Sequence, residues 1–437
     1  MRIIPSVAHL FFCCLTLFVI FGCANETQEP EDRESYQTKE PERVAPTGNV
    51  ARAETSSSHS KTDPAEELRI KLRANKNAEF KVQDGRVIGA SLVNAGVTDL
   101  TPLQDTRLEV LEIRGMKGIR DLSALKGLPL EYLDVSETTI KDLSPLKGMP
   151  LKRLNLSFTR VDDLSALAGI ESLEILELAK TRIKDLTPLA SLPGLRALVI
   201  SQTEVKDLSP LKNLKTLETL VLQETDISDF SGLDGLNLMQ LDLGKCPIKD
   251  LSPLAGLRVK ELYLVETPVA DLSPLKDLGL GGLYLNQTQV KDLSPVKDMN
   301  LEFLNLTGTP VASLEELKGV NLKILWLGGS KVTSLEPLKG NYLESLDVAD
   351  TKVSDLSPLK EINGLRRLNI IEAKVTDLTP IQTLPLLRLL FTPKKIAKGL
   401  ELVKNMPKLQ ELDVTFREPK RLTPAEFWQQ YEAGVFD

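Results

Sequence analysis

A leucine frame that recurs every 21 or 22 residues constrains this 437-residue chain more than any other feature. The frame reads Leu-x-x-Leu-x-Leu, with a weaker copy at Val87 and irregular copies at Leu386 and Leu409. One such unit is too short to bury an apolar face alone, so successive units have to stack and share a core. The regular copies begin at Leu108, Leu130, Leu151, Leu173, Leu195, Leu217, Leu238, Val259, Leu280, Leu301, Leu322, Leu343 and Leu365.

The residues within one unit predict its local structure. In Leu130-x-x-Leu133-x-Val135 the alternating apolar residues indicate a short strand with one buried face. Stacked copies would form a parallel sheet with about 4.8 Å between strands. Aliphatic side chains would fill the core, because 42% of the residues are hydrophobic and only 5% are aromatic.

The complete unit resembles a known type of repeat. The segment Leu130-Glu-Tyr-Leu-Asp-Val-Ser-Glu-Thr-Thr-Ile-Lys-Asp-Leu-Ser-Pro-Leu146 resembles the bacterial leucine-rich repeats of the internalin type, and the resemblance covers most of the chain. It implies an α/β solenoid, a leucine-rich-repeat horseshoe or arc. The parallel β-sheet would form the concave face, short helical or 3-10 turns the convex face, and helical caps would close both ends.

One column of the repeat holds small polar residues where many leucine-rich repeats carry a buried Asn. A small side chain that bonds to the turning backbone fits this position. Cys246 occupies the same column, which favours a buried packing role for its thiol over a reactive one. The other members are Thr138, Thr159, Thr181, Thr203, Thr225, Thr267, Thr288, Thr309, Ser330 and Thr351.

The second half of each unit reads Asp-Leu-Ser-Pro-Leu, as in Asp142 to Leu146. Ser at an N-cap and Pro at the first helical position predict a short helical or 3-10 turn. The recurrent aspartates invite a calcium hypothesis, but an Asp before such a turn favours exposed amides, and lysines adjoin many of them. We therefore predict no metal site. The aspartates are Asp142, Asp163, Asp185, Asp207, Asp229, Asp250, Asp271 and Asp292.

Both ends of the repeat array carry signs of a cap. An N-terminal cap over 62–86 would begin with a capping box at Asp63 and a helix through about Ala74, followed by repeats over 87–416. Residues 393–405 predict a longer helix and 409–415 the last strand. A second capping box at Thr423 opens a capping helix in 417–437, ahead of Phe427 and Trp428.

The N-terminus has the order of an export signal. Residues 1–23 contain Arg2, an apolar run and then small residues, and Ile20-Phe21-Gly22-Cys23 resembles the lipobox of bacterial lipoproteins. This resemblance implies lipidation of Cys23 and a membrane anchor in the cell envelope. The alternative is ordinary cleavage after Ala24 and a secreted or periplasmic protein. Residues 24–61 are rich in Glu, Thr, Ser and Pro, which predicts a disordered tether.

The sequence offers little material for catalysis or for cofactors. Once the signal is removed, the single histidine is His59, in the tether, so imidazole catalysis and His-containing metal sites have no residue to use. No phosphate-binding glycine loop is present, and we predict neither a cofactor nor an enzyme. A net charge of -7 argues against nucleic acid as a partner. Glu112, Asp134, Asn155 and Glu177 share one strand column and read as a solvated face.

The third, fifth, seventh and eighth places of each frame are expected to lie on the concave face, and most of them hold small or polar residues. Large aromatic rings are the exception. They fall in four consecutive repeats. A poorer candidate pairs Tyr132 with Phe158. Rings on neighbouring strands could also do no more than cover one another. The predicted ligand-binding residues are Tyr263, Tyr284, Phe303, Trp326, Asn305 and Asn286, with an acidic rim of Asp242, Glu261, Glu266 and Asp347.

An aromatic centre with a polar edge is typical of protein interfaces. The sequence therefore predicts a non-catalytic recognition protein that presents its concave surface to a protein or peptide outside the cytoplasm. Two alternatives stay open: a structural, self-associating spacer of the envelope, and a surface protein that binds a glycan.

Overall fold

The computed structural model describes residues 63–297, 299–416 and 421–436, and within them the repeat frame becomes one sheet of short strands. The strands are β1 (Glu79–Gln83), β2 (Arg86–Ser91), β3 (Val110–Glu112), β4 (Tyr132–Asp134), β5 (Arg153–Asn155), β6 (Ile175–Glu177), β7 (Ala197–Val199), β8 (Thr219–Val221), β9 (Asn237–Asp242), β10 (Arg258–Tyr263), β11 (Gly282–Tyr284), β12 (Phe303–Asn305), β13 (Ile324–Trp326), β14 (Ser345–Asp347), β15 (Arg367–Asn369), β16 (Arg388–Leu390) and β17 (Glu411–Asp413).

Each strand from β2 onward pairs in parallel with the strand of the next repeat. The leucine at the fourth place of one frame lies beside the same leucine of the next, as Leu133 beside Leu154 and Leu283 beside Leu304. These leucines are fully buried, and the apolar residues at the first and sixth places of the regular copies are buried as well. The stack therefore shares one continuous apolar core, which confirms the predicted leucine-rich-repeat solenoid.

The chain returns between strands through 3-10 turns. Their bounds are Thr101–Leu103, Ser123–Leu125, Ser144–Leu146, Ser165–Leu167, Thr187–Ser191, Ser209–Leu211, Ser231–Leu233, Ser252–Leu254, Ser273–Leu275, Ser294–Val296, Glu315–Leu317, Glu336–Leu338, Ser357–Glu361, Thr379–Ile381 and Pro393–Lys395.

The predicted turn is present, but the predicted N-cap is wrong. Ser144 is the first residue of its turn, and the capping side chain is Asp142, whose Oδ1 accepts the Ser144 N–H at 2.8 Å. The same contact joins Asp250 to Ser252 at 2.8 Å. A carboxylate two residues upstream reaches this exposed amide, so the aspartate row supplies caps.

The Thr column makes the backbone bond that the sequence predicts. The Thr138 hydroxyl donates to the Val135 carbonyl at 2.6 Å, and Thr288 repeats the contact with Leu285 at 2.7 Å. Cys246 is buried in this column, and its thiol lies 3.1 Å from the Leu222 carbonyl. Burial raises the pKa of the Cys246 thiol, which agrees with a packing role.

The first end of the array starts with helix α1 (Pro64–Lys71), which is shorter than the predicted helix. The Asp63 side chain caps it by accepting the Ala65 N–H, without the reciprocal bond of a capping box. Strand β1, which the repeat pattern does not predict, pairs antiparallel with β2 and forms the first strand of the sheet.

At the other end, the long helix expected over 393–405 is wrong. The chain forms only the 3-10 turn Pro393–Lys395 and helix α2 (Leu400–Lys404). Between them Lys398 bridges to Asp377, and Gly399 has a φ of 84° that a continuing helix does not permit.

The final capping box is confirmed. Thr423 and Glu426 exchange both bonds at the start of helix α3 (Pro424–Glu432), and the buried Phe427 ring lies 5.5 Å from that of Phe391 in the last repeats. Helix α3 therefore covers part of the core that a further repeat would otherwise bury.

Candidate functional site

The largest group of rings on the sheet face opposite the core, called the open face below, comes from β10 to β13. We name Tyr263, Tyr284, Phe303 and Trp326 the aromatic ladder. Strand register places Tyr263 beside Tyr284 at the fifth place, and Phe303 beside Gly282 at the third. Asn305 separates Tyr284 from Trp326 in the fifth-place column.

The rings of the ladder form one continuous stack. The Tyr263 and Tyr284 centroids lie 3.8 Å apart with an interplanar angle of 11°, and Tyr284 stacks on Phe303 at 4.4 Å. Phe303 meets Trp326 edge to face at 5.0 Å. Ring quadrupoles favour the edge-to-face contact, and the stacked rings bury each other's faces. The structure therefore brings together the four rings that the sequence singled out.

The two tyrosines form the closed end of this stack. Tyr263 is 8% exposed and Tyr284 is 7% exposed. The Tyr263 hydroxyl donates to Glu261 Oε2 at 2.8 Å, and burial raises the pKa of Tyr263 well above its usual range. A Cβ on Gly282 would lie 3.4 Å from the Tyr284 ring, so that ring leans over the glycine towards the third place.

Phe303 and Trp326 form the open end, because both side chains are half-buried and keep part of their surface in solvent. Asn305 lies between them and is 0% exposed. Its Oδ1 accepts the Thr307 N–H at 3.0 Å. Of the predicted binding residues, Phe303 and Trp326 keep part of their ring surface in solvent, whereas Asn305 bonds to the backbone beneath them.

The predicted acidic rim divides into buried and exposed carboxylates. Glu261 and Glu266 are exposed. Asp242 is 3% exposed, and Asp347 is half-buried. Burial raises the pKa of both aspartates, and the hydrogen bonds that each accepts offset part of this increase. Only the two glutamates therefore present an exposed carboxylate at the edge of the ladder.

A recurrent hydrogen bond explains why these aspartates are buried, and the sequence analysis did not predict it. Asp or Asn at the fifth place accepts the backbone N–H two residues later, and the recurrence of these residues in that column was the available signal. The pairs are Asp134 with Ser136, Asn155 with Ser157, Asp242 with Gly244, Asn305 with Thr307, Asp347 with Ala349, Asn369 with Ile371 and Asp413 with Thr415.

The same column holds a second group of polar residues nearer the N-terminus, Glu112, Asp134, Asn155 and Glu177, which we call the polar row. Strand register places them side by side on β3 to β6. Arg153 pairs with Glu177 at 2.7 Å, and burial raises the pKa of both Glu112 and Glu177. The row is thus more buried than a solvated face.

The two rings of the poorer aromatic candidate, Tyr132 and Phe158, each pack against a positively charged side chain. The Arg153 guanidinium lies 5.5 Å from the Tyr132 ring centroid, and Lys180 lies 5.5 Å from that of Phe158. These rings therefore have one face occupied by a side chain of the protein itself.

The described residues contain no cluster of three or more His, Cys, Asp or Glu side chains arranged to hold a metal ion. In the same ranges, no helix has the length and apolar character needed to cross a bilayer. Cys23 lies outside the described residues.

Comparison with known proteins finds likeness in solved structures. No model of a protein family matches the chain, and no curated protein matches it. An internalin, InlF of Listeria monocytogenes, is 19% identical, with 82% of this chain and 96% of that chain covered and a TM-score of 0.43. A leucine-rich-repeat protein of Leptospira interrogans is 18% identical, with coverages of 72% and 97% and a TM-score of 0.46. The functional domain of InlJ of L. monocytogenes is 20% identical, with coverages of 68% and 71% and a TM-score of 0.47.

Proposed function

We propose that this leucine-rich-repeat chain is a non-catalytic recognition protein that binds a protein or peptide on the concave, open face of its sheet. The aromatic ladder is the proposed centre of the site, with Asn286, Glu261 and Glu266 at its edge. The observation that carries the proposal is the half-exposed pair Phe303 and Trp326 on an otherwise small or polar surface. Partly exposed, closely packed rings are where protein interfaces concentrate affinity.

The closed end of the ladder supports this role by holding the open end in place. Tyr284 stacks on Phe303 from one side at 4.4 Å, and Trp326 packs against the same ring at 5.0 Å. Side chains fixed in this way lose little conformational entropy when a ligand arrives. The rings therefore form a preorganised surface.

The site would act outside the cytoplasm. We propose that residues 1–23 direct export, that Cys23 carries a lipid anchor, and that 24–61 tether the repeats to the membrane. The lipobox-like segment and the composition of the following residues support this part of the proposal. Labelling cells with a radioactive or clickable fatty acid, with Cys23→Ala as control, tests it. Equal labelling of both proteins contradicts an anchor at Cys23.

The binding proposal is tested by capture from bacterial envelope extracts on the immobilised chain, quantified by mass spectrometry. We expect the Phe303→Ala, Trp326→Ala double variant to weaken partner retention by about 30-fold or more, the effect of losing an interface hot spot. Tyr342→Ala is the matched control, because Tyr342 is 71% exposed and is not a member of the ladder. Equal retention by both variants would contradict the proposed site.

A further inference from the structure

Three of the four ladder strands lack the acceptor of the fifth place, which only Asn305 on β12 supplies among them. Where Asp or Asn stands there, its side chain accepts the N–H two residues later, as Asp347 does for Ala349 at 2.8 Å. Tyr263, Tyr284 and Trp326 offer no acceptor at that point. Among the described residues, the backbone N–H groups of Val265, Asn286 and Gly328 accordingly form no hydrogen bond.

These three N–H groups belong to the open face. In the repeats with Asp or Asn at the fifth place, the acceptor is that side chain, which lies on the open face, so the equivalent N–H in the ladder repeats is directed to the same side. The tyrosine rings lean away towards the third place, as the bond from Tyr263 to Glu261 shows. The rings therefore do not cover the three N–H groups, which lie beside them.

Gly328 is the donor with no side chain of its own to cover it. It is half-buried, and the equally small Gly329 follows it with a φ of 68°. A second unsatisfied group lies two strands away, because Asn286 Oδ1 is buried and has no hydrogen-bond partner among the described residues. A buried side-chain oxygen without a partner is rare in folded proteins and needs an explanation. Within the described part of the chain, unpaired N–H groups also occur at Ser201 and Gln223, after Val199 and Val221, so the neighbouring rings are what distinguish the ladder donors.

We infer that the ladder binds a peptide segment lying across β10 to β13, with its backbone carbonyl oxygens accepting hydrogen bonds from Gly328 and Val265 and an apolar side chain against Phe303 and Trp326. Three strand spacings separate the two donors, about 14 Å. Carbonyls four residues apart in an extended peptide lie about 13 Å apart on one side. The inference rests on the proposed function and names the ligand's chemistry.

Charge favours carbonyl oxygens over carboxylates as acceptors. Glu261 and Glu266 are exposed at the edge of the ladder. These acids disfavour an anionic group at the donors and favour Lys or Arg side chains in the ligand. A glycan also has oxygen acceptors and stacks on rings, but it brings no cation for these carboxylates, so the peptide is the better match.

The test uses the full chain with Trp428→Phe, which leaves Trp326 as the sole remaining tryptophan of the two in the sequence and makes its fluorescence a reporter of the site. The probes are decapeptides selected from a randomised display library, alongside an oligosaccharide array. We expect the library to yield basic, apolar peptides that alter Trp326 fluorescence. No enrichment, or binding by oligosaccharides alone, overturns the inference.

The donor is tested by Gly328→Pro against Gly328→Ala. Proline removes the N–H, which has no intramolecular partner, whereas alanine keeps it and places a Cβ no closer than 3.5 Å to its neighbours. We expect Gly328→Pro to weaken binding of the selected peptide about tenfold relative to Gly328→Ala, the value of one hydrogen bond. Equal affinity overturns the inference. Thermal melting identifies any loss of folding.

A second pair of variants avoids proline. Trp326→Leu removes the ring and leaves the Gly328 N–H open, whereas Trp326→Asn also supplies an internal acceptor, as Asn305 does for Thr307. We expect the Asn variant to bind the peptide several-fold more weakly than the Leu variant. If both bind equally but more weakly than the parent, the ladder is a site and the inference fails. If neither differs from the parent, the proposed function fails as well.

Discussion

The polar row and the aromatic ladder occupy the same column of the same sheet, yet they use the backbone differently. In the polar row, Asp134 and Asn155 accept the N–H groups of Ser136 and Ser157. In the ladder, the fifth-place rings stack on their neighbours and leave those N–H groups without an acceptor. The comparison shows that an Asp or Asn at the fifth place pairs the N–H two residues later within its own repeat, whereas a ring at that place leaves this N–H unpaired.

The largest expected effect tests whether the two regions share the same core. Leu154 and Leu283 are fully buried at the fourth place, next to Asn155 and Tyr284 respectively. We expect Leu154→Ala and Leu283→Ala each to lower the free energy of unfolding by about 3 kcal/mol, measured by urea titration. Costs that differ by more than about 2 kcal/mol would mean that the regions differ below the surface as well as on it.

A smaller effect contrasts the two kinds of fifth-place side chain. Tyr284→Ala removes a buried ring stacked on two others, and we expect a cost of about 2–3 kcal/mol. Asn155→Ala removes one hydrogen bond to Ser157, and we expect a cost of about 1 kcal/mol. Urea titration of both variants measures the difference. The reverse order would show that the ladder contributes less to folding than its packing indicates.

The smallest effect is a pH dependence at the edge of the ladder. Burial raises the pKa of Asp242, so the folded state holds this proton more tightly than the unfolded state. Its contribution therefore favours folding at low pH and is lost as the pH rises from about 4 through the folded pKa. Asp242→Asn removes this titration and keeps an acceptor for Gly244. We expect the variant to gain stability relative to the parent as the pH rises, measured by urea titration from pH 3 to 8.

Asp250 gives the matched control with the opposite sign. Hydrogen bonds from the Ser252 hydroxyl and backbone lower its pKa, so its contribution is present above the unfolded value and is lost as the pH falls through the folded pKa. Asp250→Asn should lose stability relative to the parent as the pH rises. The same sign for both variants would contradict the assignment of burial at Asp242 and capping at Asp250.

Most of the solenoid could be predicted from the sequence, because the same residue pattern recurs in each repeat and predicts the same structure each time. The strands, their parallel stacking and the Thr column follow from a pattern repeated along the chain. The ends have no such repetition. Strand β1 and the break at Gly399 depend on contacts with single neighbours, such as the bridge from Lys398 to Asp377, which a local pattern does not contain.

The membership of the ladder was predictable, but its exposure was not. Periodicity places Tyr284 on the open face, and nothing in the periodicity says in which direction the ring leans. That direction depends on the absence of a side chain at Gly282 and on the stacking with Tyr263 and Phe303. The sequence therefore identifies which residues meet, and the packing decides which of them stay accessible.

The register is unbroken from β2 to β17, so equivalent places on the open face are spaced at equal intervals along the sheet. Corresponding places stay aligned through each step, as from Leu111 to Leu133 and from Leu389 to Leu412. Gain or loss of one whole unit between the polar row and the ladder would change their separation by a single increment of about 4.8 Å and leave each intact. The distance between two surfaces on such a molecule can therefore change only in whole-repeat steps, and it can change without altering the residues of either surface.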